Sequence, residues 1–95
     1  MYNDDTDKMI LSKLEQNNGV IDIQYDEPAS NRFSDRDNNP DSSRVYRIKF
    51  TNEGVIDDIL PDEIKNIENR YPFVTVRTIT PPDKQVKNTM FIRLS

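Results

Sequence analysis

The chain has 95 residues, a formal net charge of −4, and neither cysteine nor histidine. Its length suits one small domain. The absence of cysteine excludes disulfides and thiolate metal sites and favours a reducing, cytoplasmic compartment. The absence of histidine removes the commonest general base near neutral pH, and no apolar run approaches the ~18 residues that a membrane span requires.

Acidic residues are concentrated in the first half of the chain. Residues 1–43 contain ten acidic and four basic side chains, whereas residues 44–95 contain seven acidic and nine basic ones. An asymmetry of this kind is one signal of an acidic or basic partner. A mixed surface charge also serves solubility alone, so charge by itself leaves the existence of such a partner open.

The first 25 residues indicate a helix followed by a strand. Carboxylates near the N-terminus suit the start of a helix, and apolar residues from Ile10 to Leu14 share one helical face over about residues 5–17. The run Asn17-Asn18-Gly19 predicts a left-handed helix stop. Residues 20–25 alternate in polarity, which predicts a strand. The side chains predicted to face the core from this strand are Ile21, Ile23 and Tyr25.

The segment that follows, residues 26–43, is strongly polar. Its apolar side chains are Ala29 and Phe33, and it is rich in Asp, Asn, Ser and Pro. Such a composition buries too little surface to offset the entropy lost on ordering. We therefore predict a mobile acidic loop here, one that the fold does not need.

A second helix is predicted in the second half of the chain. Apolar residues from Leu60 to Tyr71 recur at helical spacing, with Pro61 in the first turn. Pro72 marks the end, because the residue before a proline avoids the helical region. Residues 55–60 fit either an extra helical turn or a short strand.

Three further segments indicate strands. Residues 44–50 and 86–94 alternate in polarity, and residues 73–79 are rich in β-branched side chains. The predicted order is helix, strand, strand, helix, strand, strand. We therefore expect an α+β fold, a two-layer sandwich of αββαββ order in which a four-stranded, mainly antiparallel sheet carries both helices on one face.

No arrangement of residues in the chain indicates catalysis or metal binding. Residues 35–41 begin like an EF-hand calcium loop, but Pro40 stands where the loop must turn and Tyr46 where a bidentate Glu is required. A loose match to a metal-dependent nuclease motif places Glu63 and Lys65 on the predicted helix. Serines and threonines have no base to activate them. We expect no enzymatic activity, no cofactor, no metal and no small-molecule substrate.

Alternation along the strands predicts a basic, aromatic face that the helices leave open. If Tyr46, Ile48 and Phe50 face the helices, their neighbours along the strand point away. Such a face can bind an acidic protein or a second copy of the chain, or stack unpaired bases beside neutralised phosphates. The partner-binding residues predicted on this open face are Arg47, Lys49, Phe73, Arg77, Phe91 and Arg93.

An acidic surface is the alternative binding site. Complementary potential would direct it towards a basic partner. The sequence favours a non-catalytic protein-interaction module, namely an adaptor, an assembly subunit or a small acidic inhibitor. One concrete version of the inhibitor is a phage-type or mobile-element-type inhibitor of a nucleic-acid-binding protein. Single-stranded nucleic-acid binding through the open face is the second hypothesis. The residues predicted to form the acidic surface are Asp4, Asp5, Asp7, Asp35, Asp37 and Asp41.

Overall fold

The computed structural model describes residues 5–36, 38, 43–80 and 87–95, which form three helices and four strands. The strands make one antiparallel sheet in the order β1-β2-β4-β3. The predicted α+β class with a four-stranded antiparallel sheet is confirmed. Within the described ranges, no helix has the length and apolar character needed to cross a membrane. The elements are α1 (Asp5–Glu15), β1 (Val20–Tyr25), α2 (Glu27–Arg36), β2 (Arg44–Phe50), α3 (Glu53–Arg70), β3 (Val76–Ile79) and β4 (Thr89–Leu94).

The main hydrophobic core lies between the sheet and the helices α1 and α3. Alternate side chains of β2 and β4 point into it, as the polarity pattern predicts, and Ile48, Ile92 and Leu94 are 0% exposed. We call this side of the sheet the first face. The buried residues of this core are Ile10, Leu14, Tyr46, Ile48, Phe50, Ile56, Leu60, Ile67, Val76, Ile92 and Leu94.

Helix α3 begins earlier than its apolar stripe indicates. The Asn52 side chain accepts a hydrogen bond of 3.1 Å from the Val55 N–H, which caps the helix at Glu53. Residues 55–60 are therefore helical, and Pro61 lies inside the helix instead of in its first turn. A proline has no N–H to donate, so α3 lacks one of its internal hydrogen bonds at this position.

A bulge in β1 turns Ile21 out of the core. The pairing of β1 with β2 shifts register between Val20 and Asp22, so Ile21 is an extra residue on this strand. Its side chain is 56% exposed. Ile23 and Tyr25 pack against the core as predicted. The prediction that Ile21 faces the core is therefore wrong: the bulge gives β1 one residue more than the paired segment of β2, and the side chain of that residue points away from the core.

Gly19 is required for close packing and not for a left-handed backbone. Its φ is not positive, and neither is that of Asn17 or Asn18, so the predicted left-handed stop is wrong. A Cβ atom at this position would collide with the side chains of Val55 and Ile59. Glycine therefore lets the turn before β1 approach α3.

The prediction of a loop throughout residues 26–43 is wrong, because residues 27–36 form α2. Asp26 caps this helix by accepting a hydrogen bond of 3.1 Å from the Ala29 N–H. The Ser30 hydroxyl accepts a 2.8 Å bond from the Val45 N–H, and the Ser34 hydroxyl bonds the backbone of Ser43. These serines are 1% and 5% exposed. Buried hydroxyl contacts, which composition does not reveal, hold α2 on the start of β2.

Helix α2 lies on the opposite side of the sheet from α1 and α3. Its Phe33 ring lies 4.4 Å from the guanidinium carbon of Arg93, a residue that alternates with the core residues Ile92 and Leu94. Val45, which alternates with Tyr46, is 1% exposed. The predicted αββαββ order with helices on one face is therefore wrong: the order is αβαβαββ, and helices lie on both faces.

Candidate functional site

The side of the sheet that faces α2, which we call the second face, carries most of the predicted open-face residues. In the strand register, Phe91 lies between Arg47 and Ile79, and Arg93 lies between Val45 and Arg77. Lys49 pairs with Thr89 one row further along. The structure thus brings together five of the six predicted residues. These are Arg47, Lys49, Arg77, Phe91 and Arg93.

Phe73 does not belong to this surface. It lies in a turn before β3 and is 94% exposed. Backbone pairing between the two strands ends with Thr75 and Ser95, joined by hydrogen bonds of 2.8 and 3.0 Å. Phe73 therefore lies beyond the end of β4, away from Phe91. The predicted strand over residues 73–79 begins only at Val76.

A cleft of about 450 Å³ lies between part of α2 and the second face. Its volume falls within the range typical of small-ligand and side-chain pockets. The α2 residues that line the cleft are Ala29, Arg32, Phe33 and Arg36. They stand at i, i+3, i+4 and i+7 and so share one side of the helix. Sequence reasoning missed them, although Asp26 ahead of Pro28 is a helix-start signal. The cleft is lined by Asp26, Ala29, Arg32, Phe33, Arg36, Val45, Ile79 and Phe91.

Guanidinium groups surround the aromatic floor of the cleft. The guanidinium carbons of Arg93 and Arg36 lie 4.4 and 5.6 Å from the centre of the Phe33 ring, within cation–π range. Arg93 Nε also donates a 3.0 Å hydrogen bond to the Ser43 hydroxyl, which fixes its position. Arg32 lines the same cleft and is exposed. The result is an apolar surface with two exposed positive charges, those of Arg32 and Arg36, at its edge and with Arg93 against its Phe33 ring.

The balance of exposed charge differs between the two sides of the molecule. The second face and α2 present five exposed basic side chains, Arg32, Arg36, Arg47, Lys49 and Arg77, and α2 also exposes the acidic Glu27 and Asp35. Helix α3, on the other side, exposes more acidic than basic side chains. Its exposed carboxylates belong to Glu53, Asp57, Asp58, Asp62 and Glu68, and its exposed basic residues are Lys65 and Arg70.

Asp7 is a buried structural residue and not part of an acidic surface. Its side chain is 3% exposed and forms a bidentate ion pair with Arg44, with Nε–Oδ2 and Nη2–Oδ1 distances of 3.0 and 3.1 Å. The Tyr46 hydroxyl donates a 2.9 Å hydrogen bond to Oδ2. This cluster anchors α1 to β2. Of the other predicted acidic residues, Asp5 and Asp35 are exposed, and the following lie outside the described residues: Asp4, Asp37 and Asp41.

The Tyr46 phenol should make stability sensitive to alkaline pH. Burial, followed by the nearby Asp7 carboxylate, raises the pKa of Tyr46 well above the ordinary value of 10.0. A pKa raised in the folded state contributes stability that is complete below about pH 10 and is lost as the pH rises above it, by at most about 1.4 kcal/mol per pH unit. The free energy of unfolding, measured with urea from about pH 9 to about pH 11, should fall more steeply with pH for the wild type than for Tyr46→Phe. An equal pH dependence of the two proteins would contradict the raised pKa of Tyr46.

Comparisons of the chain with protein-family models, with curated proteins and with solved structures find no match. In the part of the chain that the structure describes, no group of three or more carboxylates is arranged to hold a metal ion. The EF-hand-like stretch at residues 35–41 falls largely outside the described residues. The cleft under α2 and the second face together combine exposed basic side chains with a half-buried aromatic floor.

Proposed function

We propose that this chain is a non-catalytic protein-interaction module that binds an acidic protein partner through the second face and the cleft under α2. The observation that carries the proposal is an apolar cleft lined by the exposed Arg32 and Arg36, with Arg93 against its Phe33 ring. An apolar centre with a polar rim is the usual anatomy of a protein interface. Arginine and aromatic residues are the groups that most often dominate its energetics.

The charge distribution supports an acidic partner. Basic side chains outnumber acidic ones among the exposed residues named on the second face and α2, whereas acidic side chains outnumber basic ones on α3 at the opposite side. This arrangement attracts an acidic surface towards the cleft and repels it from α3, which speeds encounter and selects orientation. An adaptor, an assembly subunit or a small inhibitor needs only such a surface. A chain without cysteine suits the reducing cytoplasm, where we propose that it acts.

The side chains at the cleft favour binding over catalysis. Guanidinium groups stay protonated at physiological pH, so they recognise anions but do not transfer protons. Asp26 is the carboxylate that lines the cleft, and its Oδ1 already caps α2 through the Ala29 N–H at 3.1 Å. These groups are suited to holding a partner in place.

Single-stranded nucleic-acid binding is the second candidate function, and exposed Arg47, Lys49 and Arg77 favour it. Base stacking, however, needs open aromatic faces. The Phe33 ring already contacts the Arg93 guanidinium at 4.4 Å, and Phe91 is half-buried beneath α2. These contacts favour a protein partner.

Quantitative affinity capture with matched charge reversals tests the proposal. The wild type, the cleft variant Arg32→Glu/Arg36→Glu and the control variant Lys13→Glu/Lys65→Glu would each be immobilised and exposed to nuclease-treated lysate of the cell that makes the protein. All four substituted residues are exposed, so the variants should keep the fold. We expect one set of proteins to be retained by the wild type and the control and lost from the cleft variant.

Two outcomes would contradict the proposal. Equal retention by the cleft variant and the control would show that the cleft is not the binding surface. Tight binding of a labelled oligothymidylate, weakening log-linearly with salt, would favour the nucleic-acid function instead.

A further inference from the structure

The cleft under α2 is an incomplete second core. Ala29 and Val45 are 7% and 1% exposed, so α2 packs closely on β2. Phe33, Ile79 and Phe91 nevertheless stay half-buried around a space of about 450 Å³. Covering apolar surface that is left in contact with water in this way is favourable.

The way α2 is attached explains why this space stays open. The helix buries only Ala29, Ser30 and Ser34, which are small. Its buried hydrogen bonds run from the two serines to Ser43 and Val45, at the start of β2. Over β3 and β4, the cleft instead reaches Ile79 and Phe91, so a large side chain from outside can fill it.

The arginines at the edge of the cleft restrict the charge of the segment that can carry such a side chain into it. Arg32 and Arg36 are one helical turn apart, both exposed, and both line the cleft. Arginine pairs with carboxylates in a bidentate geometry. Cationic segments are repelled from this rim, and acidic ones gain ion pairs beside the apolar floor.

We infer that the cleft binds one large apolar side chain, aromatic or leucine-sized, from an acidic segment of the partner, with neighbouring carboxylates paired to Arg32 and Arg36. This inference rests on the proposed function and specifies what the partner presents. A short segment of this composition places its anchor against Phe33, Ile79 and Phe91. Its flanking charges remain at the solvent-exposed rim.

Synthetic peptides test this inference directly. The probes are a short capped peptide of Asp and Glu with a central Phe, the same peptide with a central Ala, and a Lys peptide with a central Phe. Fluorescence anisotropy should show the acidic Phe peptide binding at least about tenfold tighter than either of the others, the loss expected on removing an interface anchor. Amide shifts in two-dimensional NMR should be confined to α2 and to the strands around Val45, Ile79 and Phe91.

Two variants of the chain locate the site. Arg32→Glu/Arg36→Glu should weaken binding of the acidic Phe peptide at least about tenfold, whereas Lys13→Glu/Lys65→Glu should leave its affinity within about twofold. Phe91→Ala should reduce the preference for the central Phe over the central Ala. If Phe91→Ala unfolds, the charge-reversal pair still decides the matter, because its four positions are exposed.

The outcomes separate this inference from the proposed function. Equal binding of the Phe and Ala peptides, or amide shifts away from α2, would overturn the anchor while leaving Arg-dependent capture of an acidic partner intact. Failure of both acidic peptides would likewise overturn the anchor. Loss of Arg-dependence in the capture experiment would overturn the proposed function as well.

Discussion

Replacing Asp7 with alanine should lower the free energy of unfolding by about 3–5 kcal/mol, the usual cost of removing one partner from a buried ion pair. The change takes away the carboxylate that pairs with the Arg44 guanidinium and that accepts the Tyr46 hydrogen bond. Arg44 is buried, with 8% of its surface exposed. A domain of this size is typically stable by about 5–15 kcal/mol, so the loss is a large fraction of the total. Urea denaturation followed by circular dichroism measures it.

Two controls identify the ion pair as the cause. Asp5→Ala alters an exposed carboxylate in the same first turn and should change stability by no more than about 0.5 kcal/mol. Asp7→Ala/Arg44→Met removes both charges and should recover much of the loss, because no buried guanidinium remains. Similar effects of Asp7→Ala and Asp5→Ala would show that the buried pair does not form.

Replacing Ile48 with alanine should cost about 2–4 kcal/mol, through lost apolar burial and the cavity that remains. Ile48 is 0% exposed at the centre of the first face and pairs with Met90 across β4. Ile67→Ala in α3 should cost a similar amount, since its side chain is 6% exposed in the same core. Chemical denaturation of the two variants measures these losses.

The matched control is Lys49→Ala, one residue along β2. Lys49 is exposed on the second face, so its replacement should change stability by no more than about 0.5 kcal/mol. Side chains on a strand alternate between faces, so a register error of one residue would exchange the two results. A loss at Lys49 as large as that at Ile48 would therefore reject the assigned register.

The sequence by itself was sufficient to predict the elements in which apolar side chains recur with a regular period. Alternate residues of β2 and β4 are apolar and point to the first face, and these core-facing side chains were predicted correctly from the period of two. Helix α1 has an apolar stripe that contacts the same core. From these elements followed the α+β class and four of the residues predicted on the second face, namely Arg47, Lys49, Phe91 and Arg93.

Contacts between residues distant in the chain decided the rest. The Ser30 and Ser34 hydroxyls stabilise α2 through backbone groups fifteen and nine residues away, and Asp7 pairs with Arg44 thirty-seven residues away. A serine or an aspartate has the same identity whether it is solvated or buried beside a partner, so composition assigned these residues to a loop and to a surface. The cleft depends on the same tertiary contacts, because its walls come from α2, β2, β3 and β4 and only folding brings them together.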